Sequence, residues 1–178
     1  LSARLSARGP LSALRLEGQV MHEGARLELS GDADVAGAPR AHLDVEASDL
    51  DARSLDASAP STALDARAGV DLSAGESGFL LVSDVTTEPI TVGALRVPSV
   101  HVSLRSQRGA MAARFELADA RGKVDGEANL APGGRAELSA RLTGFSLDGV
   151  PELAGRARGR IDGRARARIA AGRFQGSA

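Results

Sequence analysis

The chain has no cysteine, no tryptophan and no tyrosine, and its four phenylalanines leave the aromatic content at 2%. Zero cysteines exclude a disulfide framework and a thiolate metal site, and leave the compartment open. The shortage of rings says more. Aromatic side chains supply much of the area buried in a compact core, yet here a hydrophobic fraction of 43% is carried mainly by Ala, Leu and Val. Apolar positions are plentiful, but there is little bulk to fill a space between two layers. A net charge of -1 over 178 residues provides no long-range field toward nucleic acid or acidic partners. Lys123 is the sole lysine among 22 Lys and Arg residues. No apolar run approaches the roughly eighteen residues of a helical membrane span. The chain opens at Leu1 in mid-pattern and without Met, which reads as an internal slice of a longer protein. Any anchor or export signal would then lie outside it.

What is present is alternation. From Leu27, the residues Leu27, Leu29, Gly31, Ala33 and Val35 fall on one side, with Glu28, Ser30, Asp32 and Asp34 on the other. After AGAPR the pattern resumes, Ala41, Leu43, Val45 and Ala47 against His42, Asp44, Glu46 and Ser48. Successive strand side chains point to opposite faces, so these are two half-buried strands. A turn over Ala36 to Arg40 sets Val35 opposite Ala41 and keeps apolar on apolar. The same reading applies before it: Leu14, Leu16, Gly18 and Val20 form an apolar side, and a turn over 22–25 sets Val20 opposite Leu27. Residues 49–60 lose the alternation and read as a crossing segment. Leu64, Ala66, Ala68, Val70 and Leu72 restore it.

Phe79 to Val85 is apolar almost throughout, which suggests a strand buried on both faces or covered by a neighbour. Pro89 and Pro98 mark strand starts, bulges or edges, because proline cannot donate to a ladder. Val100, Val102 and Leu104 alternate with polar residues, and Met111, Ala113, Phe115 and Leu117 continue the pattern. VDGEANLAPGGRAELSARLTGFSL, from Val124, then aligns without gaps on LSGDADVAGAPRAHLDVEASDLDA, from Leu29, at an offset of 95. Gly31 meets Gly126, Val35 meets Leu130 and Leu43 meets Leu138, with Leu142 one turn of the pattern further on. The organisation expected is one continuous segment over 1–178, with a repeat in 11–75, its copy in 108–178 and connecting strands in 76–107. In the tail, Arg156, Arg158, Arg160, Arg164, Arg166 and Arg168 occupy even positions, with Ile161 and Ile169 among the odd ones. A single strand of that length would be about 55 Å long, so a break is expected near Gly163 to Arg166. The 21 glycines argue against long helices.

Candidate chemistry is sparse. His22, His42 and His101 are the only histidines. His42 and Asp44 share a strand face, which suits a metal or an acid–base pair in type, but no third ligand is near in sequence. Carboxylates are spread one per alternate position, and nothing singles out two of them as a glycosidase pair. No nucleophile elbow, phosphate loop or dinucleotide fingerprint occurs. These readings point away from an enzyme, a metal site and a cofactor. The arginine stripe suits anionic headgroups or a solvated face paired with acidic neighbours. Without interleaved aromatics for base stacking it does not suit nucleic acid.

Ten or so strands with one apolar face roughly 20 Å wide present about 1,000 Å². Monomeric soluble proteins rarely leave more than a few hundred Å² of contiguous apolar surface open. Alanine and glycine fill a sandwich core poorly, and a transmembrane barrel would need aromatic girdles. The expected architecture is therefore all-β, elongated antiparallel β-meander repeats curled into an open groove, a β-taco. Its lining would be Leu14, Leu16, Val20, Leu27, Leu29, Val35, Leu43, Val45, Leu64, Val70, Leu72, Val100, Val102, Leu104, Phe115, Leu117, Val124, Leu130, Leu138, Leu142, Ile161 and Ile169. Two rival readings remain. One is a structural or adhesive all-β repeat of a surface protein with a packed interior; the other is a carbohydrate-active β-helix enzyme.

The stretches LRLEGQVMHEGARLELSGDADV, LDARSLDASAPSTALDARA (Leu50 to Ala68) and LAGRARGRIDG resemble the TamB/AsmA-like family of translocation and assembly modules. These are bridge-like lipid transfer proteins. The resemblance lies in texture and repeat rhythm across most of the chain. It implies a segment of a periplasmic intermembrane phospholipid transport or outer-membrane assembly protein, attached to the inner membrane through a part not present here. Acyl chains would occupy the groove as cargo, with phospholipid as the partner and no cofactor. It also implies contact with an outer-membrane β-barrel assembly protein through regions outside this segment.

Overall fold

A computed structural model of the chain describes residues 1–22, 24–51, 53, 62–75, 78–92, 95–119, 121–147, 158–170 and 173–177. Its strands are β1 (Ser2–Arg8), β2 (Leu14–His22), β3 (Ala25–Asp34), β4 (Arg40–Leu50), β5 (Leu64–Gly75), β6 (Gly78–Thr87), β7 (Ile90–Val92), β8 (Leu95–Val97), β9 (Val100–Gln107), β10 (Ala110–Asp119), β11 (Gly122–Ala131), β12 (Arg135–Ser146), β13 (Arg160–Ala170) and β14 (Arg173–Ser177). Twelve of them form one open antiparallel sheet in the order β1-β2-β3-β4-β5-β6-β9-β10-β11-β12-β13-β14. The all-β meander expected from the alternation is the observed fold. β7 and β8 pair only with each other, and β6 pairs with β9 across them. Pro89 and Pro98 flank this excursion, where no ladder donor is needed. Its base is tied by Ser99 Oγ donating to the Thr87 carbonyl at 2.6 Å and by Val100 N–H donating to Thr87 Oγ1 at 3.1 Å.

The hairpin β2–β3 closes on His22 opposite Ala25 and keeps Val20 opposite Leu27, the register expected. At β9–β10 the closing pair is Gln107 and Ala110, and Arg108 and Gly109 have φ of 53° and 75°. Positive φ at both central residues matches the right-handed twist of flanking strands.

The two repeated hairpins differ in register. In β11–β12, Leu130 lies opposite Ala136. At the matching positions Val35 does not lie opposite Ala41; Ala41 faces Ala33 instead, and Val35 falls in the loop beyond β3. The cause is the turn. Gly133 and Gly134 take φ of 90° and 80°, which closes β11–β12 tightly. Ala38 and Pro39 stand at the corresponding places, and proline cannot take a positive φ. The first hairpin therefore opens two residues earlier. Asp34 Oδ1 accepts from the Ala36 N–H at 3.0 Å, and the Val35 N–H donates to the Leu11 carbonyl at 2.7 Å. A two-residue slip preserves the faces.

The repeat reappears in two bulges. One extra residue enters β4 between Ala47 and Leu50, and one enters β12 between Leu142 and Phe145. The residues Asp49 (φ 54°) and Gly144 (φ 60°) stand 95 apart in the chain. Each donates its N–H to a carboxylate on the next strand, Asp65 Oδ1 at 2.9 Å and Asp162 Oδ1 at 2.7 Å. The carboxylate satisfies the backbone donor that the bulge removes from the ladder.

Two expectations about strands are overturned. β6 is not buried on both faces: Phe79 is 67% exposed, and Leu80 and Val82 are half-buried. Nor does the tail break at Gly163 to Arg166. β13 passes through them in continuous pairing with β12, starting after Gly159 at φ 117°. Gly163 is tolerated because its neighbours leave it room, Leu142 Cβ lying 4.0 Å from where a Cβ would stand. Arg156 and most of the crossing segment 49–60 lie outside the described residues.

Among the described residues no hydrophobic side chain is buried; the sheet is a single layer. Two glycines on its apolar face nonetheless have no space for a side chain. A Cβ at Gly31 would stand 2.0 Å from the His42 carbonyl oxygen, and one at Gly126 would meet the Phe115 ring at 2.4 Å. Gly69, on the opposite face, has nothing within 4 Å. Gly31→Ala should therefore cost more than about 2 kcal/mol, while Gly69→Ala should be neutral or stabilise by up to about 1 kcal/mol. Urea unfolding of the two variants reads the difference, and equal midpoints would refute the close approach at Gly31.

Candidate functional site

Strand registers assemble the apolar residues into four rows that cross the sheet from edge toward edge. One runs through Leu14, Ala33, Ala41, Leu72, Leu81, Ser106, Met111, Leu130 and Ala136 to the register position of Ile169. The next runs Ala7, Leu16, Gly31, Leu43, Val70, Ser83, Leu104, Ala113, Ala128, Leu138 and Ala167. The third runs Leu5, Gly18, Leu29, Val45, Ala68, Val85, Val102, Phe115, Gly126, Ala140 and Ala165, without one polar side chain. The fourth runs Ala3, Val20, Leu27, Ala47, Ala66 and Thr87, then Val100, Leu117, Val124, Leu142 and Gly163. Leu64 and Ile161 continue the face beyond the bulges, opposite Leu50 and Phe145.

All the lining candidates but one therefore share a face. Val35 is the exception: it sits outside the ladder, 45% exposed, because Ala38 and Pro39 displace the turn. Residues not singled out beforehand join the face too. Leu5 belongs to a run whose alternation was visible. Leu81 and Val85 sit in a run apolar at nearly every position, so only pairing with β5 and β9 assigns their side. The hydroxyls on this face, Ser83, Thr87 and Ser106, gather on β6 and β9 at the middle of the sheet. Ser83, between Val70 and Leu104, is only 8% exposed. The face measures roughly 50 Å across the strands and 20 Å along them. At about 25 cal/mol per Å², covering it fully would be worth on the order of 25 kcal/mol. That exceeds the net stability of an ordinary domain, about 5–15 kcal/mol.

The other face is charged. Cross-strand pairs include Arg67–Glu46 at 3.0 Å, Arg114–Glu127 at 3.2 Å, Lys123–Glu116 at 2.9 Å and Arg168–Glu137 at 3.1 Å. Exposed pairs of this kind contribute about 0–1 kcal/mol each, so they favour register more than stability. A furrow of about 910 Å³ crosses β1 to β6 on this side, where Ser6, Ser30 and Gly69 lie low between longer side chains such as Arg4, Glu28 and Glu46.

Both described imidazoles of the charged face are held by neighbouring strands. His42 Nδ1 lies 2.8 Å from Asp71 Oδ1 and its Nε2 lies 3.7 Å from Asp44. The partner that matters is thus Asp71 on β5, not the sequence neighbour. His101 stands near Ser103 and Asp84, but Ser103 Oγ donates to Asp84 at 2.6 Å. Serine and carboxylate both approach Nε2, while Nδ1 meets Thr86 Oγ1 at 3.1 Å. A nucleophile needs the serine on one imidazole nitrogen and the carboxylate on the other, so this is no triad. Among the described residues no group of three or more His, Asp or Glu is placed to hold a metal ion. No family model, curated protein or solved structure matches this chain.

The Asp71 hydrogen bond, with the charges of Asp71, Asp44 and Asp32 behind it, raises the His42 pKa above its ordinary 6.5. The folded state thus favours the imidazolium. Its stabilisation is fully present below 6.5 and is lost as pH rises through the higher folded pKa. A proton-NMR titration should place His42 above 6.5 and move it down in Asp71→Asn; an unmoved midpoint would rule out the pairing.

Proposed function

We propose that this chain is a segment of a lipid conduit that holds the acyl chains of phospholipid against its apolar face and lets them slide across successive strands. The observation that carries this reading is the run of apolar rows across the sheet, the third without one polar side chain from β1 to β13, together with the absence, among the described residues, of any buried hydrophobic side chain. An apolar face of this extent is covered by something in water. An acyl chain gains about 0.8 kcal/mol per methylene transferred from water, and it demands no fixed partner geometry. A track without directional contacts binds by area and lets cargo shift along it. The resemblance to TamB/AsmA-like modules supports the same reading, with the sheet curled around its cargo in the periplasm between two membranes. A structural repeat with a packed interior would instead bury these leucines and valines against a second layer.

Substituting Asp at Leu29, Leu43 and Leu138 together places three carboxylates in the two central rows. Native mass spectrometry of the purified chain should detect bound phospholipid in the wild type and at least tenfold less in the variant. Leu138→Asp alone, at a position already 44% exposed, tests the face with the least risk to folding. Circular dichroism checks that both remain folded. A folded triple variant carrying as much lipid as the wild type would end the proposal.

A further inference from the structure

The arginines of β13 are distributed unevenly with respect to carboxylates. Arg168 pairs with Glu137 at 3.1 Å. Asp162, the one acid of that strand, accepts from the Gly144 N–H at 2.7 Å, because it caps the bulge of β12. Of the other three arginines, Arg160 lies opposite Ser146, Arg164 directly opposite Arg141 and Arg166 opposite Ser139. Like charges facing across a ladder are destabilising, and among the described residues none of the guanidinium groups of Arg141, Arg164 and Arg166 is paired with a carboxylate. They line one cavity of about 260 Å³, whose far wall carries Asp125 and Glu127. Glu127 is already engaged by Arg114 at 3.2 Å. Against three arginines the hollow thus has one uncommitted acid, Asp125, which the register sets opposite Arg141 on β11.

From this juxtaposition we infer that Arg141, Arg164 and Arg166 form a binding site for a phosphate-bearing anion on the charged face, opposite the apolar rows. Guanidinium is planar, always charged and matched to phosphate oxygens through paired N–H donors. An oxyanion between Arg141 and Arg164 turns a repulsive pair into two attractive ones. Ser139, on the same strand as Arg141 and opposite Arg166, adds a hydroxyl donor to the lining. All three arginines are exposed, so binding is reversible and weakens with salt. The site is independent of the lipid reading, because side chains of the apolar rows point the other way. The phosphate has two possible sources, a phospholipid headgroup at an anionic bilayer and a soluble phosphate compound.

The test is binding of the intact chain, at low salt, to three probes: vesicles of phosphatidylcholine, the same vesicles with one third phosphatidylglycerol, and inorganic pyrophosphate. The variants are Arg164→Gln/Arg166→Gln, Asp125→Asn and, as a control elsewhere on the charged face, Arg4→Gln. Tighter binding to the anionic vesicles, at least tenfold weaker in the double variant and unchanged in the control, is the expected result with a headgroup source. Pyrophosphate binding with the same dependence, and no preference for anionic vesicles, assigns the soluble source. Asp125→Asn should tighten either by about threefold. No binding of either phosphate probe, equal losses in control and double variant, or an Asp125→Asn that binds no tighter would overturn the site.

Discussion

The parity of the ladder governs everything else in this chain. Each strand is hydrogen-bonded to its neighbours in a register that sets apolar positions opposite apolar ones, and side chains alternate with a period of two. A slip of a single residue anywhere would carry a run of leucines to the charged side. The departures from regular pairing keep the faces: the hairpin β3–β4 slips by two residues, and at two bulges a single extra residue enters before pairing resumes with the apolar residues on the same side. Asp65 and Asp162 hold those bulges by accepting the displaced amides. Separation of oil from charge across twelve strands is a consequence of this backbone bookkeeping.

A single-layer sheet distributes its stability in an unusual way. Substantial contacts run between ladder neighbours, and among the described residues no second layer ties distant strands together. Stability is then close to a sum of strand pairs and nearest-neighbour terms, as in solenoid repeats. The same arrangement explains the small side chains. Ala and Gly cannot fill a sandwich, but they suit a surface where neighbouring strands approach closely, as Gly31 does against His42 and Gly126 beneath Phe115. Ordering of this kind leaves a long apolar face available to a partner that brings its own bulk.

The charged face supplies register and, around Arg141 and Arg164, an excess of positive charge. Arg67, Arg114 and Arg168 meet carboxylates across the ladder, and His42 finds Asp71 on the adjoining strand. Around Arg141 and Arg164 arginines outnumber acids: Asp162 of β13 is used by the backbone, which leaves Asp125, opposite Arg141 on β11. Electrostatics on this side therefore varies along the sheet, while among the described residues the four apolar rows are interrupted only by Ser83, Thr87 and Ser106 near their middle.

Alternation alone determined the fold class, the strand positions and the face of almost every apolar residue, because a period of two is a local property of consecutive side chains. Leu29, Leu43, Val102 and Leu138 could be assigned that way, and so could Leu5. Where the local pattern was silent, pairing decided. Phe79 to Val85 is apolar at nearly every position, so the sides of Leu81 and Val85 follow only from β5 and β9. The position of Val35 depended on backbone dihedrals at Ala38 and Pro39, which alternation does not encode, and the partner of His42 on a strand far along the chain. Continuity of the rows from β1 to β13 is likewise a tertiary fact: residues distant in sequence become neighbours only once every register is set.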